Sequence, residues 1–215
     1  MSLPVPSSAP LTNVLSRPGI RKGHPAGTPS SREWTLETLA GRMVELSSDA
    51  ASATLTAATS LVLQCQQRGE PAVWILGGTS SFYPPDVAAC GVDLAALIVV
   101  RAESTIKAAR AADHLLRSGG FGLVILDIVE DSTLRMNVQS RLSGLANTHK
   151  SSVVCLTRKK RDAPSIGSLV SLRGETSVTR TGFDEFTWDV EIVKDKRRGP
   201  GWNHSGRCRG VEGLH

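Results

Sequence analysis

At 215 residues, 40% of them hydrophobic, the chain is long enough to bury one core of ordinary domain size, and no apolar run nears the roughly 18–20 residues that cross a bilayer. The N-terminus lacks the apolar stretch of a secretory signal, and the scattered Cys65, Cys90, Cys155 and Cys208 argue against a zinc ribbon or a disulfide scaffold. The net charge of +5 is uneven: residues 1–32 carry Arg17, Arg21, Lys22 and Arg32 without an acid, residues 33–193 sum to −3, and residues 194–215 to +4. Basic ends of this kind meet nucleic acid or an acidic surface, or are simply solvated.

Residues 1–32, rich in proline and poor in periodicity, read as a flexible basic arm. Residues 33–198 read as a folded core and residues 199–215 as an irregular basic tail. His204 and Cys208 lie at helical spacing within that tail, but Gly206 between them and the lack of further ligands nearby argue against a metal site. Within the core, residues 53–68 place Leu55, Ala58, Leu61 and Cys65 on one helical stripe. Residues 72–76 form a short apolar strand, Pro84-Pro85 open a helix that Gly91 stops, and residues 97–100 form a second strand. A helix over 103–118 turns Ile106, Ala109, Ala112 and Leu116 inward and pairs Glu103 with Lys107 outside. Residues 122–127 are continuously apolar up to Asp127, as strands buried on both faces tend to be. A helix over about 133–146 and a strand over 152–157 follow. Strand–helix alternation predicts an α/β fold, a doubly wound and mostly parallel sheet. After residue 165 the pattern changes to short strands (168–173, 177–181, 186–193) separated by Gly174 and Gly182, which predict an antiparallel extension at one sheet edge.

The first strand-to-helix turn is where a phosphate loop sits in such a sheet. Laid on G-x-x-x-x-G-K-[ST], the segment from Ser47 to Thr54 has Ser47 and Ser52 for the glycines and Ala53 for the lysine, and keeps Thr54. Serines restrict the tight turn that glycines allow, alanine brings no charge to a terminal phosphate, and Asp49 repels one. Asp127 stands where a magnesium-binding aspartate would, or is a polar strand end facing the crevice.

Five segments in order resemble the ATPase core of the RecA recombinase family. They are Ala40-Gly41-Arg42-Met43-Val44-Glu45-Leu46, Cys90-Gly91-Val92-Asp93-Leu94, Leu115-Leu116-Arg117-Ser118-Gly119, Leu123-Val124-Ile125-Leu126-Asp127 and Glu191-Ile192-Val193-Lys194-Asp195-Lys196. Within that superfamily the chain is most similar to the ImuA proteins of bacterial mutagenesis cassettes. The resemblance implies a RecA-like core over about residues 34–198.

Departures from the family pattern set the functional expectation. Thr79 stands where the family's catalytic glutamate would be, so no general base remains to activate water. With the altered loop this implies a protein that is not an enzyme and takes no cofactor. The family's nucleotide-sensing glutamine falls near Arg158, and both DNA-binding loops look shortened, to residues 128–132 and 158–166. The second keeps the four cations Arg158, Lys159, Lys160 and Arg161, a candidate site for weak, non-specific single-stranded DNA. Lys194 and Lys196 match two family lysines that reach the ATP of a neighbouring protomer, or are two exposed lysines at a strand end. The resemblance thus implies a cytoplasmic, nucleoid-associated accessory factor of DNA-damage-induced translesion synthesis. Its implied partners are RecA, ImuB and an error-prone DnaE-type polymerase. The alternatives are a division inhibitor like SulA, directed at FtsZ, and a residual RecA-type ATPase.

Overall fold

The computed structural model describes residues 32–49, 53–128, 133–183 and 185–209. After a short helix α1 (Leu36–Leu39), strands and helices alternate: β1 (Arg42–Ser48), α2 (Thr54–Gln67), β2 (Ala72–Gly77), α3 (Pro84–Ala89), β3 (Leu97–Ala102), α4 (Thr105–Arg117), β4 (Leu123–Asp127), α5 (Met136–His149) and β5 (Ser152–Arg158). Three strands complete the chain: β6 (Leu172–Arg180), β7 (Glu185–Asp195) and β8 (Asn203–Arg209). All eight join one sheet in the order β3-β2-β4-β5-β1-β6-β7-β8. Pairing is parallel from β3 to β6 and antiparallel across β6, β7 and β8. The expected α/β class and antiparallel edge are therefore both present.

Alternation along the central strands explains why their sequences are continuously apolar. Val44, Leu46, Trp74, Leu76, Leu123, Ile125, Val154 and Leu156 point to the face covered by α2, while Met43, Val73, Ile75, Val124, Leu126, Val153 and Cys155 point to the face covered by α4 and α5. Trp34, fully buried, closes the first core; its indole N–H donates to the Ala57 carbonyl at 3.2 Å.

Helix phases differ from the sequence reading at two positions. Leu55 is 53% exposed and Ile106 59% exposed. The buried stripe of α2 runs through Ala57, Ala58, Leu61, Val62 and Cys65, and that of α4 through Ala108, Ala109, Ala112 and Leu116. Small side chains let both helices approach the sheet closely and turn the larger residues outward. Lys107 and Glu103 form the expected surface pair.

The C-terminal third departs more. The segments around 168–173 and 177–181 do not form two strands broken at Gly174: Leu172 to Arg180 is one strand, with a bulge between Arg173 and Gly174. A Cβ at Gly174 would lie 2.5 Å from Val190 Cγ1, so glycine serves close packing there. Gly182 does lie between β6 and β7. Residues 203–209, expected as irregular tail, form β8 against β7, so the folded body extends past residue 198. Gly206 makes that pairing possible, because any Cβ there would fall inside the Trp188 indole. The expected N-terminal arm lies, Arg32 apart, outside the described residues. Among the described residues no helix is long and apolar enough to cross a membrane.

Candidate functional site

Ligand loops of open α/β sheets lie at the carboxyl ends of the parallel strands, and the candidate loop residues gather there. Ser47, buried near the end of β1, donates its hydroxyl to Glu175 Oε2 at 2.9 Å and accepts from Arg173 Nε at 2.9 Å. Arg173 also donates to the carbonyls of Lys160, at 2.9 Å, and Ala163. Burial pushes the Glu175 carboxyl above its usual range, against the hydrogen bond from Ser47 and the charge of Arg173. The first loop position is thus held in a closed polar network on β1 and β6. Ser52 lies outside the described residues. Ala53, the N-cap of α2, is buried and offers no side-chain cap. Thr54 Oγ1 lies 2.7 Å from Thr176 Oγ1 on β6.

Asp127 ends β4 almost fully buried. Ser80 Oγ donates to its Oδ1 and to its backbone carbonyl, each at 3.0 Å, and the Trp74 indole N–H donates to Oδ2 at 3.3 Å. Burial raises the Asp127 carboxyl above its usual range, while these two side-chain bonds favour the charged form. Both carboxylate oxygens are therefore engaged by uncharged donors. Thr79, at the expected glutamate position, is exposed, and it is Ser80 that touches Asp127. A hydroxyl three residues after the glycine that ends β2 gave no sequence signal for this contact.

The four consecutive cations from the last residue of β5 onward do not act as one patch. Lys159 Nζ lies 2.8 Å from Oε1 of Glu45, whose side chain is fully buried in β1. Thr157 Oγ1 and the Ile166 amide also donate to Glu45, at 2.9 and 3.0 Å. Arg161 forms a two-pronged pair with Glu191 on β7, which raises the guanidinium and lowers the carboxyl relative to their ordinary values. Arg158 and Lys160 remain exposed. They line an open cleft of about 460 Å³ together with Asp49 and Asp162, so its field is of mixed sign. The other shortened loop, residues 129–132, lies outside the described residues.

Lys194, near the end of β7, and Lys196, in the turn just past it, lie two residues apart. Lys194 is part-buried, opposite Arg173 in register, and donates to Ser165 Oγ at 3.4 Å. Burial, then the neighbouring charges of Lys196 and Arg173, hold its ammonium below the usual lysine range, and Glu45 acts the other way. Lys196 is exposed and donates to the Ser168 carbonyl at 2.6 Å. The structure brings the two lysines together and gives each an uncharged partner in its own chain.

Between them, Asp195 points to the other face and meets Arg42 at 2.6 Å, with both side chains buried. Arg42 also donates to Ser171 Oγ and the Ser171 carbonyl, at 2.9 and 2.8 Å. The Trp202 indole and the Arg197 amide donate to Asp195 at 3.4 and 2.9 Å. Burial pushes the Asp195 carboxyl up, but the Arg42 bond, the Arg197 and Arg198 amides and the Arg42 charge outweigh it and leave it below its usual range. This bridge ties the start of β1 to the end of β7 and to the entry of β8. Nothing in the local sequence pattern pointed to it.

Residues 37–160, more than half of the chain, match the RecA N-terminal domain family. The chain is similar to Protein RecA of Francisella philomiragia subsp. philomiragia, 30% identical over 99 residues, and to Protein RecA of Francisella tularensis subsp. novicida, 29% identical over 99 residues. Each of these matches covers 46% of this chain and 27% of the relative, so the matched segment spans about a quarter of the curated relatives' length. The family match takes in the sheet from β1 to β5 together with Asp127 and three of the four loop cations, Arg158, Lys159 and Lys160, and on that ground the chain belongs to the RecA family.

Proposed function

We propose that the protein is a non-catalytic, RecA-like accessory factor of DNA-damage-induced mutagenesis, which engages RecA and an ImuB and DnaE-type polymerase assembly in translesion synthesis. The observation that carries this reading is the pairing of a buried Ala53 at the phosphate-loop lysine position with an Asp127 closed by Ser80 and Trp74. A magnesium nucleotide does not fit these residues. Position 53 supplies no cation for a terminal phosphate, position 79 supplies a hydroxyl in place of a general base, and a metal at Asp127 would have to compete with the hydrogen bonds that already engage each carboxylate oxygen. Isothermal titration with magnesium ATP should show no binding tighter than about millimolar, roughly −4 kcal/mol, and phosphate release should equal that of buffer. A micromolar dissociation constant would refute the proposal and favour a residual ATPase.

The partner-facing half of the reading rests on Lys194 and Lys196. A filament protomer has one face that holds its own nucleotide and another that completes its neighbour's site. This chain keeps cations on the second, where meeting a phosphate would replace the uncharged partners Ser165 and Ser168 by a charged one. It would then dock on a terminal RecA protomer and offer nothing to the next, which stops a head-to-tail assembly. Strand exchange by RecA should be inhibited by substoichiometric wild-type protein and far less by Lys194→Ala/Lys196→Ala. Equal inhibition by both, or none by wild type, defeats the capping role. Co-precipitation from damaged cells, probed together for RecA, ImuB and FtsZ, separates the mutagenesis role from division inhibition.

A further inference from the structure

Residues 159–166 form neither helix nor strand, yet two buried side chains of opposite sign catch their backbone from the sheet below. Arg173 on β6 is the first. Its Nε donates to Ser47 Oγ on β1 at 2.9 Å, its Nη2 to the Lys160 carbonyl at 2.9 Å, and its Nη1 to the Ala163 carbonyl. Glu175, 3.6 Å away, balances the charge. Glu45 on β1 is the second, and it takes donors instead. Its Oε2 accepts from the Ile166 amide at 3.0 Å, and its Oε1 from the Thr157 hydroxyl at 2.9 Å and from Lys159 Nζ at 2.8 Å. Lys159 Nζ also donates to the Pro164 carbonyl at 3.2 Å, and the Lys159 amide to the Ser48 carbonyl at 3.0 Å. A cation beneath carbonyls and a carboxylate beneath an amide satisfy backbone groups that a surface loop otherwise turns to water.

The foot of this arrangement lies at a departure from the phosphate-loop pattern. Ser47 stands at the position of the motif's first glycine, and a glycine there would offer Arg173 Nε no side-chain acceptor. The same serine that restricts the phosphate turn therefore supplies a link between β1 and the basic loop. That link runs entirely through the chain's own groups, from Ser47 through one guanidinium to the carbonyls of residues 160 and 163. Arg158, near the position of the family's nucleotide-sensing glutamine, is exposed.

We propose that Arg173 is a built-in strut, which joins the first phosphate-loop position to loop 158–166 and fixes that loop in one conformation with neither nucleotide nor nucleic acid bound. Arg158 and Lys160 are then presented from a fixed frame. A lysine at position 173 could not replace the strut, because an ammonium on a flexible stem lacks the planar fork that reaches a hydroxyl and two carbonyls at once. The inference rests on the reading of residues 47–54 as an altered phosphate loop. It is measured on ligand-free protein, so its outcome is separate from that of the magnesium ATP titration.

The test uses the full chain without ligand, with amide exchange followed residue by residue by NMR and loop access by trypsin, which can cut after each of Arg158, Lys159, Lys160 and Arg161. In the wild type the Lys159 and Ile166 amides should exchange about a hundredfold or more slower than in an unstructured chain. Arg173→Lys should raise tryptic cutting between residues 158 and 162 about tenfold or more, and Ser47→Ala should raise it by a smaller factor. The amides of β2 and β4 should stay as protected as in the wild type, a result that a merely structural role for Arg173 would not give. Wild-type exchange at the unstructured rate, cutting unchanged in both variants, or a loss of protection that reaches β2 and β4 equally in both would overturn the proposal.

Discussion

Removing the Asp195 carboxylate is the severest single-residue test of how this sheet is held. In the native fold Asp195 receives the Arg42 guanidinium, the Trp202 indole and the Arg197 amide, and neither charged side chain of the pair is more than 1% exposed. Among the described residues Arg42 Nη1 has no hydrogen-bond partner even with Asp195 present. Asp195→Ala would leave a buried cation with only the two Ser171 oxygens as acceptors, and stranding one member of a buried pair costs about 3–5 kcal/mol. In a body of this size 1 kcal/mol moves the melting temperature by roughly 2–4 °C, so the drop should be about 6–20 °C. Urea unfolding followed by circular dichroism reads the same loss as a lower midpoint at unchanged slope. Because the native carboxyl titrates below its unfolded value, its contribution is present above the unfolded pKa of about 3.9. It disappears as pH falls through the native pKa, so wild type and variant should converge in strong acid. The double variant Arg42→Met/Asp195→Leu should recover most of the loss, since an apolar pair of similar volume replaces a buried ion pair at little cost. A loss below about 1 kcal/mol at neutral pH, or a double variant as weak as the single, would refute the reasoning.

Three further outcomes separate structural from surface cations and test the C-terminal strand. Lys159→Ala should destabilise by about 3 kcal/mol or more by stranding Glu45, whereas Arg158→Ala/Lys160→Ala should stay within about 0.5 kcal/mol; chemical denaturation checks both. If single-stranded DNA binds this loop, only the Arg158 and Lys160 change should flatten the salt dependence of affinity without loss of fold. Gly206→Ala should displace the Trp188 indole and cost about 1–3 kcal/mol, seen as a lower unfolding midpoint together with a changed near-ultraviolet dichroism spectrum.

The parallel half of the fold was legible because its signal is local. Each buried strand is a short apolar run, and each long helix carries its own apolar periodicity. The antiparallel edge was harder. The residues of β8 are polar and interrupted by Gly206, and their strand conformation comes from pairing with β7 across a turn and from the indole of Trp188. Helix phase went astray at Leu55 and Ile106 because residue size was read as depth, while alanines in fact face the sheet. At the candidate site, Ala53, Thr79 and Asp127 were visible as residue types at their places in a pattern. Their surroundings were not. Arg158 to Arg161 looked like one basic cluster, yet Glu45 and Glu191, far away in the chain, take up two of its four charges. Sequence pattern reports which groups exist; only the fold reports which of them are already engaged.

The strand order has a consequence for how the chain assembles as it is synthesised. β1 lies between β5 and β6, and its first residue pairs with Ser152, about 110 residues later. β2 and β3, and one edge of β4, find their partners within residues 72 to 127, and the other edge of β4 waits for β5. A chain growing from its N-terminus therefore has the partners of a three-stranded nucleus long before β1 has any neighbour. Until then β1 and its buried Glu45 wait with both backbone edges open. Long-range closure of this kind slows folding, so the last event should be the insertion of β1, with Arg42 at its start meeting Asp195 and Glu45 at its middle meeting Lys159. Truncations ending before residue 152 should keep β2–β4 protected from hydrogen exchange and leave β1 open.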